Sequence, residues 1–475
     1  MSGTLASSPG VSITPSAVKA TLPTNYITNF DFLNQYLPDT YEKEFERYGN
    51  RSIASFLRMV GAELPSNSDL IKWAEQGRLH TKYTTVTPVS ATAGDDSVTF
   101  DIGSAACNFR QNQTVFLSNN GGSSSYKGIV TAVAPGGDNT RFTLAFYNAS
   151  GIATGDTSAT FTAFVYGSEF RKGENGMVGS LEAQDDFFEC KPIIIKDKYV
   201  VSGSDMAQIG WVEVTTENGA TGYLWYMKSE HETRLRFEDY LEMAMVEGVP
   251  AEQNSGAASY LVAPSYASPS TDAAAGTQGL FDTIESRGNV WSGGTPSSLT
   301  DIDTIVQRLD KQGAIAENAL FINRQMSFDI DDMLAAQNSY GVGGTSYGLF
   351  DNSEQMALNL GFTGFRRGYE FYKTDWKYLN DATLRGGLVG GLVNGVLVPA
   401  GTTTVYDQVL GKNAKRPFLH VRYRASEAEN RRYKTWMTGS AGGAATSDLD
   451  AMEVNFLSER ALCTLGANNF FIFKG

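Results

Sequence analysis

The spacing of hydrophobic and polar positions changes character several times along the chain, and its best-specified stretch is helical. Thr221–Glu247 (TGYLWYMKSEHETRLRFEDYLEMAMVE) has no Pro and no Gly after Gly222. It is rich in Leu, Met, Glu, Arg and Ala, which lose little rotamer freedom in a helix. Glu217, Asn218 or Thr221 can cap its start, and Gly248 with Pro250 stops it. The apolar stripe runs Leu224, Met227, His231, Leu235, then Phe237, Leu241 and Ala244 or Met245. It breaks near the middle, which predicts one packed side and one wet side. Opposite charges stand four apart at Lys228/Glu232, Glu230/Arg234, Glu232/Arg236 and Arg234/Glu238. Each such pair adds about 0.2–0.5 kcal/mol and favours a solvated rod. On local evidence this is an ordinary amphipathic surface helix; its surroundings make it unusual.

Before it, residues 1–25 are Ser/Thr/Ala/Pro-rich without a period, as in a disordered arm. Residues 26–78 read as short helices at 41–48, 52–60 and 69–76, each followed by a Gly in the position a C-terminal cap needs. Residues 79–88 turn extended. From 89 to 166 five alternating runs, SVTFDIG, QTVFLSNN, YKGIVTAVAP, RFTLAFYN and ATFTAFVYG, are separated by Gly- and Asn-rich turns. That pattern predicts a small β-barrel or sandwich. Residues 185–201 are again extended, so the β domain reads as an insertion between an outgoing arm, 79–88, and a returning one, 185–201.

After the helix, 251–298 reads as a long Ala/Ser/Gly/Pro/Thr-rich loop. A second α+β region spans 299–410. It has a helix at 299–309 capped by Ser298 or Thr300, a buried strand at 318–323, a helix at 327–336, then Gly-punctuated strands. The C-terminal part, 411–475, carries strands at 420–426, 452–466 and 468–475. The fold class is therefore α+β. A chain of 475 residues exceeds what one core usually serves, so several subdomains are expected.

Composition adds a preference for partners. Charged residues make up 19%, below the usual ~25%, while Phe (27), Tyr (22) and Gly (49) are abundant. Such a profile suits a β-rich protein that buries much of its surface against copies of itself. Lys and Arg (38) are outnumbered by Asp and Glu (52), a net charge of −14. No basic stripe marks a dedicated nucleic-acid binder. The basic spots Arg366–Arg367, Lys412–Arg416 and Arg431–Lys434 read as ion-pair partners. The N-terminus lacks a signal-peptide pattern, and the apolar run Leu384–Pro399 is shorter than the ~20 residues that span a bilayer. The expected place of assembly is a cytoplasm.

Catalytic and cofactor chemistry find no constellation. His80, His231 and His420 are far apart without ligand spacing. Cys107, Cys190 and Cys463 are widely spaced and read as buried free thiols. Gly341–Gly348 (GVGGTSYG) is Gly-rich, but no Lys or helix start follows to complete a phosphate cradle. Asp329, Asp331 and Asp332 lack the closing Glu of a calcium loop and read as acids in a helix's first turn. The expected sets of catalytic, cofactor-binding and metal-binding residues are all none, and the chain is expected not to be an enzyme.

The order of these parts resembles the major capsid protein of tailed double-stranded-DNA bacteriophages. The segment Phe56–His80 (FLRMVGAELPSNSDLIKWAEQGRLH) is similar to the N-terminal region of those of crAss-like phages. The resemblance implies an N-terminal arm with short helices (1–78) and an E-loop (79–201) carrying the β insertion at about 89–166. It further implies a P-domain (202–250) with the spine helix 221–247, the loop 251–298, an A-domain (299–410), and C-terminal strands (411–475) returning to both. The minimal fold lacks the β insertion. The lack of an N-terminal scaffolding segment implies a separate scaffolding protein or none. The implied function is a virion shell protein that self-assembles into hexamers and pentamers of an icosahedral head enclosing double-stranded DNA. Copies of itself would be its partners, with scaffolding, portal and auxiliary head proteins beside them, no sequence-specific DNA binding and no membrane. The alternatives are a tail-tube or decoration subunit and, third, a β-rich hydrolase.

Overall fold

In the computed structural model, the described residues are 56, 62–78, 80–103, 106–180, 185–208, 213–215, 221–252, 255–261, 276–313, 315–338, 364–407, 412–441 and 446–475. The expected arm and the helices at 41–48 and 52–60, apart from Phe56, lie outside them, as does Gly341–Gly348.

Six strands close into a barrel in the order Lys82–Val89, Ser97–Asp101, Arg141–Phe146, Ser125–Val133, Gln113–Asn119, Phe161–Ser168. Alternate residues point inward, so the interior is filled by Val86, Val98, Phe100, Val115, Leu117, Val130, Phe142, Leu144 and Phe161. Gly128 occupies a place where a Cβ would fall 2.5 Å from the Ala145 carbonyl oxygen. The barrel thus takes in residues 82–89, most of the expected outgoing arm. Val86 alternates into the core, and the strand bonds to both Ser97–Asp101 and Phe161–Ser168.

The out-and-back pair lies further down the chain. Ile71–Gln76 and Asp185–Cys190 form a two-stranded antiparallel ribbon, Ile71 opposite Cys190 and Gln76 opposite Asp185. The helix expected at 69–76 is therefore a strand. Ile71, Trp73 and Glu75 share its less exposed face, and the strand's partner lies over a hundred residues away, which outweighs local helix propensity. The returning arm is split: Asp185–Cys190 closes the ribbon, and Ile193–Ser202 joins a larger sheet.

That sheet has five strands. The 14-residue strand Ala451–Thr464 pairs over residues 451–460 with Ile193–Ser202. On its other side it pairs with Leu419–Arg424 and then Lys434–Gly439, and Ala62–Ser66 lies parallel to Leu419–Arg424. A second, six-stranded sheet runs Asn289–Trp291, Phe471–Lys474, Val393–Pro399, Glu317–Ile322, Tyr369–Asp375, Gly364–Arg367. Both of its faces are covered. Leu320 and Ile322 pack with Leu397 under the helices Leu299–Gln312 and Arg324–Asn338. Phe321 packs on the opposite side with Val396, Val398 and Ile472. Ser298 caps the first of these helices, its side chain accepting from the Asp301 amide while Asp301 bonds back, a full capping box.

The long helix runs Leu224–Glu247; Thr221–Tyr223 instead forms a short strand with Glu213–Thr215. Its buried stripe is Thr233, Phe237, Leu241 and Met245, with Glu242 and Val246 beside it. His231 is exposed and Leu235 half-buried, so that part of the expected stripe is displaced by about half a turn. Phe237 and Leu241 rest on Met452, Val454 and Phe456 of the five-stranded sheet. Met245 and Val246 enter the core beneath the six-stranded sheet. One helix thereby joins two cores.

The expected loop 251–298 also holds structure: helices Gly256–Leu261 and Leu280–Arg287 and the strand Asn289–Trp291. Leu280, Phe281, Thr283 and Ile284 bury one face of the second helix.

Candidate functional site

The residues weighed for chemistry are distributed over separate elements. His80 precedes the barrel and is exposed, His231 sits on the long helix with Nδ1 3.0 Å from Arg234 Nη2, and His420 is buried in the five-stranded sheet, its Nδ1 3.2 Å from the Pro417 carbonyl oxygen. Cys190 and Cys463 are buried free thiols and Cys107 a half-buried one. Burial raises the Cys190 and Cys107 thiols above their ordinary range, keeping them protonated. Among the described residues no group of three or more His, Cys, Asp or Glu could hold a metal ion. No helix among them is long and apolar enough to cross a membrane. Asp329, Asp331 and Asp332 lie past the first turn of a helix that begins at Arg324, a correction to their expected place. Asp329 accepts from Gln325 at 2.9 Å, and Asp331 pairs with Lys373 at 2.5 Å.

Two of the basic spots are spent on ion pairs. Arg367 grips Asp303, Arg431 pairs with Glu459 at 2.8 Å, Arg432 with Glu63, and Lys434 with Glu429 at 2.6 Å. The side chains of Lys412–Arg416 lie outside the described residues.

An open hollow of about 630 Å³ lies where the long helix ends. Its last residue, Glu247, is an acid at the negative end of the helix dipole, an unfavourable place for it. Arg385 offsets this with a forked contact, Nε to Oε1 and Nη2 to Oε2 (2.6 Å), and lies 4.9 Å over the Phe281 ring. Tyr378 donates to Glu247 Oε1 at 2.5 Å, and burial followed by that carboxylate pushes the phenol far above its ordinary range. The Arg385 Nη1 donates to the Gly391 carbonyl at 2.7 Å. This cluster fastens the Gly-rich segment after Arg385 to the helix end, and holds no free nucleophile or base.

What remains is surface of a particular kind. Large apolar side chains stand exposed on separate elements: Phe187 at 74% on the ribbon, Tyr166 at 50% on the barrel, Tyr260 at 87% on the helix Gly256–Leu261, and Val389 at 97% in the Gly-rich segment. Phe188, the neighbour of Phe187 in the chain, instead lies under the Arg287 guanidinium, 3.9 Å from ring centre to guanidinium carbon. The ribbon thus has an inner face held by Arg287 and Trp73 and an outer face on which Phe187 is exposed. Sequence reasoning overlooked this ribbon; the signal was the extended run 185–201, visible but without its partner at Ile71–Gln76.

The sequence matches no family model and no curated protein. Among solved structures the chain is similar to a protein of Microbacterium phage Oxtober96 at 10% identity and a TM-score of 0.40, over 94% of this chain and 99% of that one. It is also similar to a chain in the structure described as the capsid of a native GTA particle, at 10% identity and a TM-score of 0.37, over 95% and 99%. A third similarity is to the asymmetric unit of the bacteriophage PhiM1 mature capsid, at 8% identity and a TM-score of 0.33, over 65% and 78%.

Proposed function

We propose that this chain is a self-associating shell protein, the major capsid protein of a tailed double-stranded-DNA phage. The observation that carries the reading is the distribution of exposed apolar side chains. Phe187, Tyr166, Tyr260 and Val389 stand on four different elements. An apolar group left in water on one element suits one partner; exposure on four suits a subunit that meets several neighbours. A lattice of identical copies supplies such neighbours without any other protein.

The finer picture follows the resemblance. The copies would form hexamers and pentamers around packaged DNA, and a net charge of −14 would keep that DNA from adhering to the wall. The likeness of Phe56–His80 to crAss-like phage capsid proteins belongs to the same proposal, with Ile71–Gln76 now read as a strand. Scaffolding, portal and auxiliary head proteins are the further partners, and the virion is the place of action.

The test is expression of the full chain, with and without co-expressed head proteins of its own genome, viewed by negative-stain microscopy. Closed icosahedral shells support the reading. Tubes would favour a tail-tube subunit. A stable monomer that cleaves a polysaccharide would overturn both.

A further inference from the structure

The outer wall of the barrel carries a cross-strand row that the strand registers define. Lys82 stands opposite Phe164, Phe164 opposite Phe116, and Phe116 opposite Lys127. Directly opposed residues share a face. Lys82, Phe164 and Lys127 are exposed, and Phe116 and Phe164 lie ring to ring at 5.3 Å. The Lys127 ammonium is 6.0 Å from the centres of both the Phe116 and the Tyr166 rings. The row is therefore two aromatic rings between two cations. It crosses three inter-strand steps, so its lysines stand about 14 Å apart at the backbone.

The outer face of the ribbon carries the reverse pattern. Asp185, Phe187 and Glu189 alternate onto one face of Asp185–Cys190, all exposed. An aromatic ring lies between two acids four residues apart, about 13 Å along an extended strand. Glu189 already touches Lys72 on the paired strand, at 3.1 Å, in an exposed ion pair that can be shared. In this chain Phe187 is 74% exposed, so its own barrel does not cover it.

We propose that the ribbon of one copy lies across the barrel of another, Asp185 and Glu189 against the two lysines and Phe187 on the Phe116–Phe164 pair. The match is in sign, in order and in spacing. The contact is heterologous, ribbon of one copy to barrel of the next, the type that propagates around a ring. It is small, so it acts through repetition within an assembly rather than as a stable isolated pair. The inference rests on the shell reading and names one of its interfaces.

The experiment is a charge swap in the full chain. Lys82→Glu/Lys127→Glu reverses the barrel row, and Asp185→Lys/Glu189→Lys reverses the ribbon. At about 0.15 M salt each reversal alone should lower the assembled fraction about tenfold, and the combination should recover most of it. Since all four positions are exposed, circular dichroism should be unchanged. As a second measurement, Phe187→Cys together with Phe164→Cys should give disulfide-linked ladders between copies under oxidation, while neither single variant gives more than a dimer. Wild-type shells with both reversals assembling normally, or with no rescue in the combination, overturn this interface and leave the shell reading standing. A wild-type chain that does not assemble, with a double-cysteine variant that does not cross-link, overturns both. Binding of an oligosaccharide or a single-stranded DNA oligonucleotide, lost on reversing the barrel row with assembly unaffected, gives the row another occupant and overturns the inference.

Discussion

Asp156 is the barrel's most consequential polar residue. It is 6% exposed, takes a 2.5 Å hydrogen bond from the Tyr126 hydroxyl and a 2.6 Å bond from Asn119 Nδ2, and is buried in a barrel whose core is mostly Val, Ile, Leu and Phe. Burial raises its pKa, but the bonds from Tyr126, Ser124 and Asn119 outweigh that and hold the carboxyl below its ordinary range. A depressed folded value means the unfolded chain binds the proton more readily, so ionised Asp156 stabilises the folded state. That contribution is complete above the unfolded value of about 3.9 and is lost as pH falls through the folded one. Asp156→Asn should therefore destabilise the barrel by about 1–3 kcal/mol at about pH 7. In thermal melts the gap between wild type and variant should narrow below about pH 4. A gap independent of pH would show that the lost shape, not the charge, carries the effect. Nothing in the sequence distinguished Asp156 from the other acids, because its three partners come from separate turns and strands.

At the scale of elements, the long helix was legible as a helix and in the facing of its C-terminal half, but not before it. The expected stripe held Phe237, Leu241 and Met245, which are buried, but placed His231 and Leu235 ahead of them where the buried position is Thr233. The stripe is set by what lies beneath: Phe456 stacks 5.7 Å from Phe237, and Tyr433 meets it edge-on at 5.4 Å. Phe237→Ala should cost about 3–5 kcal/mol, and Leu235→Ala, on a half-buried position, less than about 1 kcal/mol. Urea unfolding monitored by far-UV circular dichroism reads both; equal losses would restore the sequence-based stripe. The helix Leu299–Gln312 was legible at its start because Ser298 and Asp301 announce it locally. Leu280–Arg287 was not, since Gly279 at its start offers no side-chain cap and its eight residues lie in an Ala/Ser/Gly-rich region. Ile71–Gln76 failed for the opposite reason. Its local pattern is compatible with a helix, and only the distant strand Asp185–Cys190 decides the matter.

At the scale of the molecule, the five inner strands of the barrel were legible from alternation and turn signals, and its edge was not. The first strand, Lys82–Val89, contains Pro88 and reads as an arm, yet it closes the barrel by bonding to both Ser97–Asp101 and Phe161–Ser168. Closure removes the free edges on which an open sheet would associate, and Val86, fully buried, completes the interior. The consequence is a boundary that can be measured. A fragment of residues 80–180 should fold alone and melt in one cooperative transition by calorimetry. A fragment of 89–166, the span the alternation suggests, lacks the closing strand and Val86 and leaves two unpaired strand edges. It should aggregate or melt without cooperativity. If both fragments melt alike, the strand Lys82–Val89 is an appendage and the barrel is held by five strands. If only the longer one folds, the barrel is an autonomous unit whose first strand follows directly from the ribbon, and the row from Lys82 to Lys127 exists only when that strand is in place.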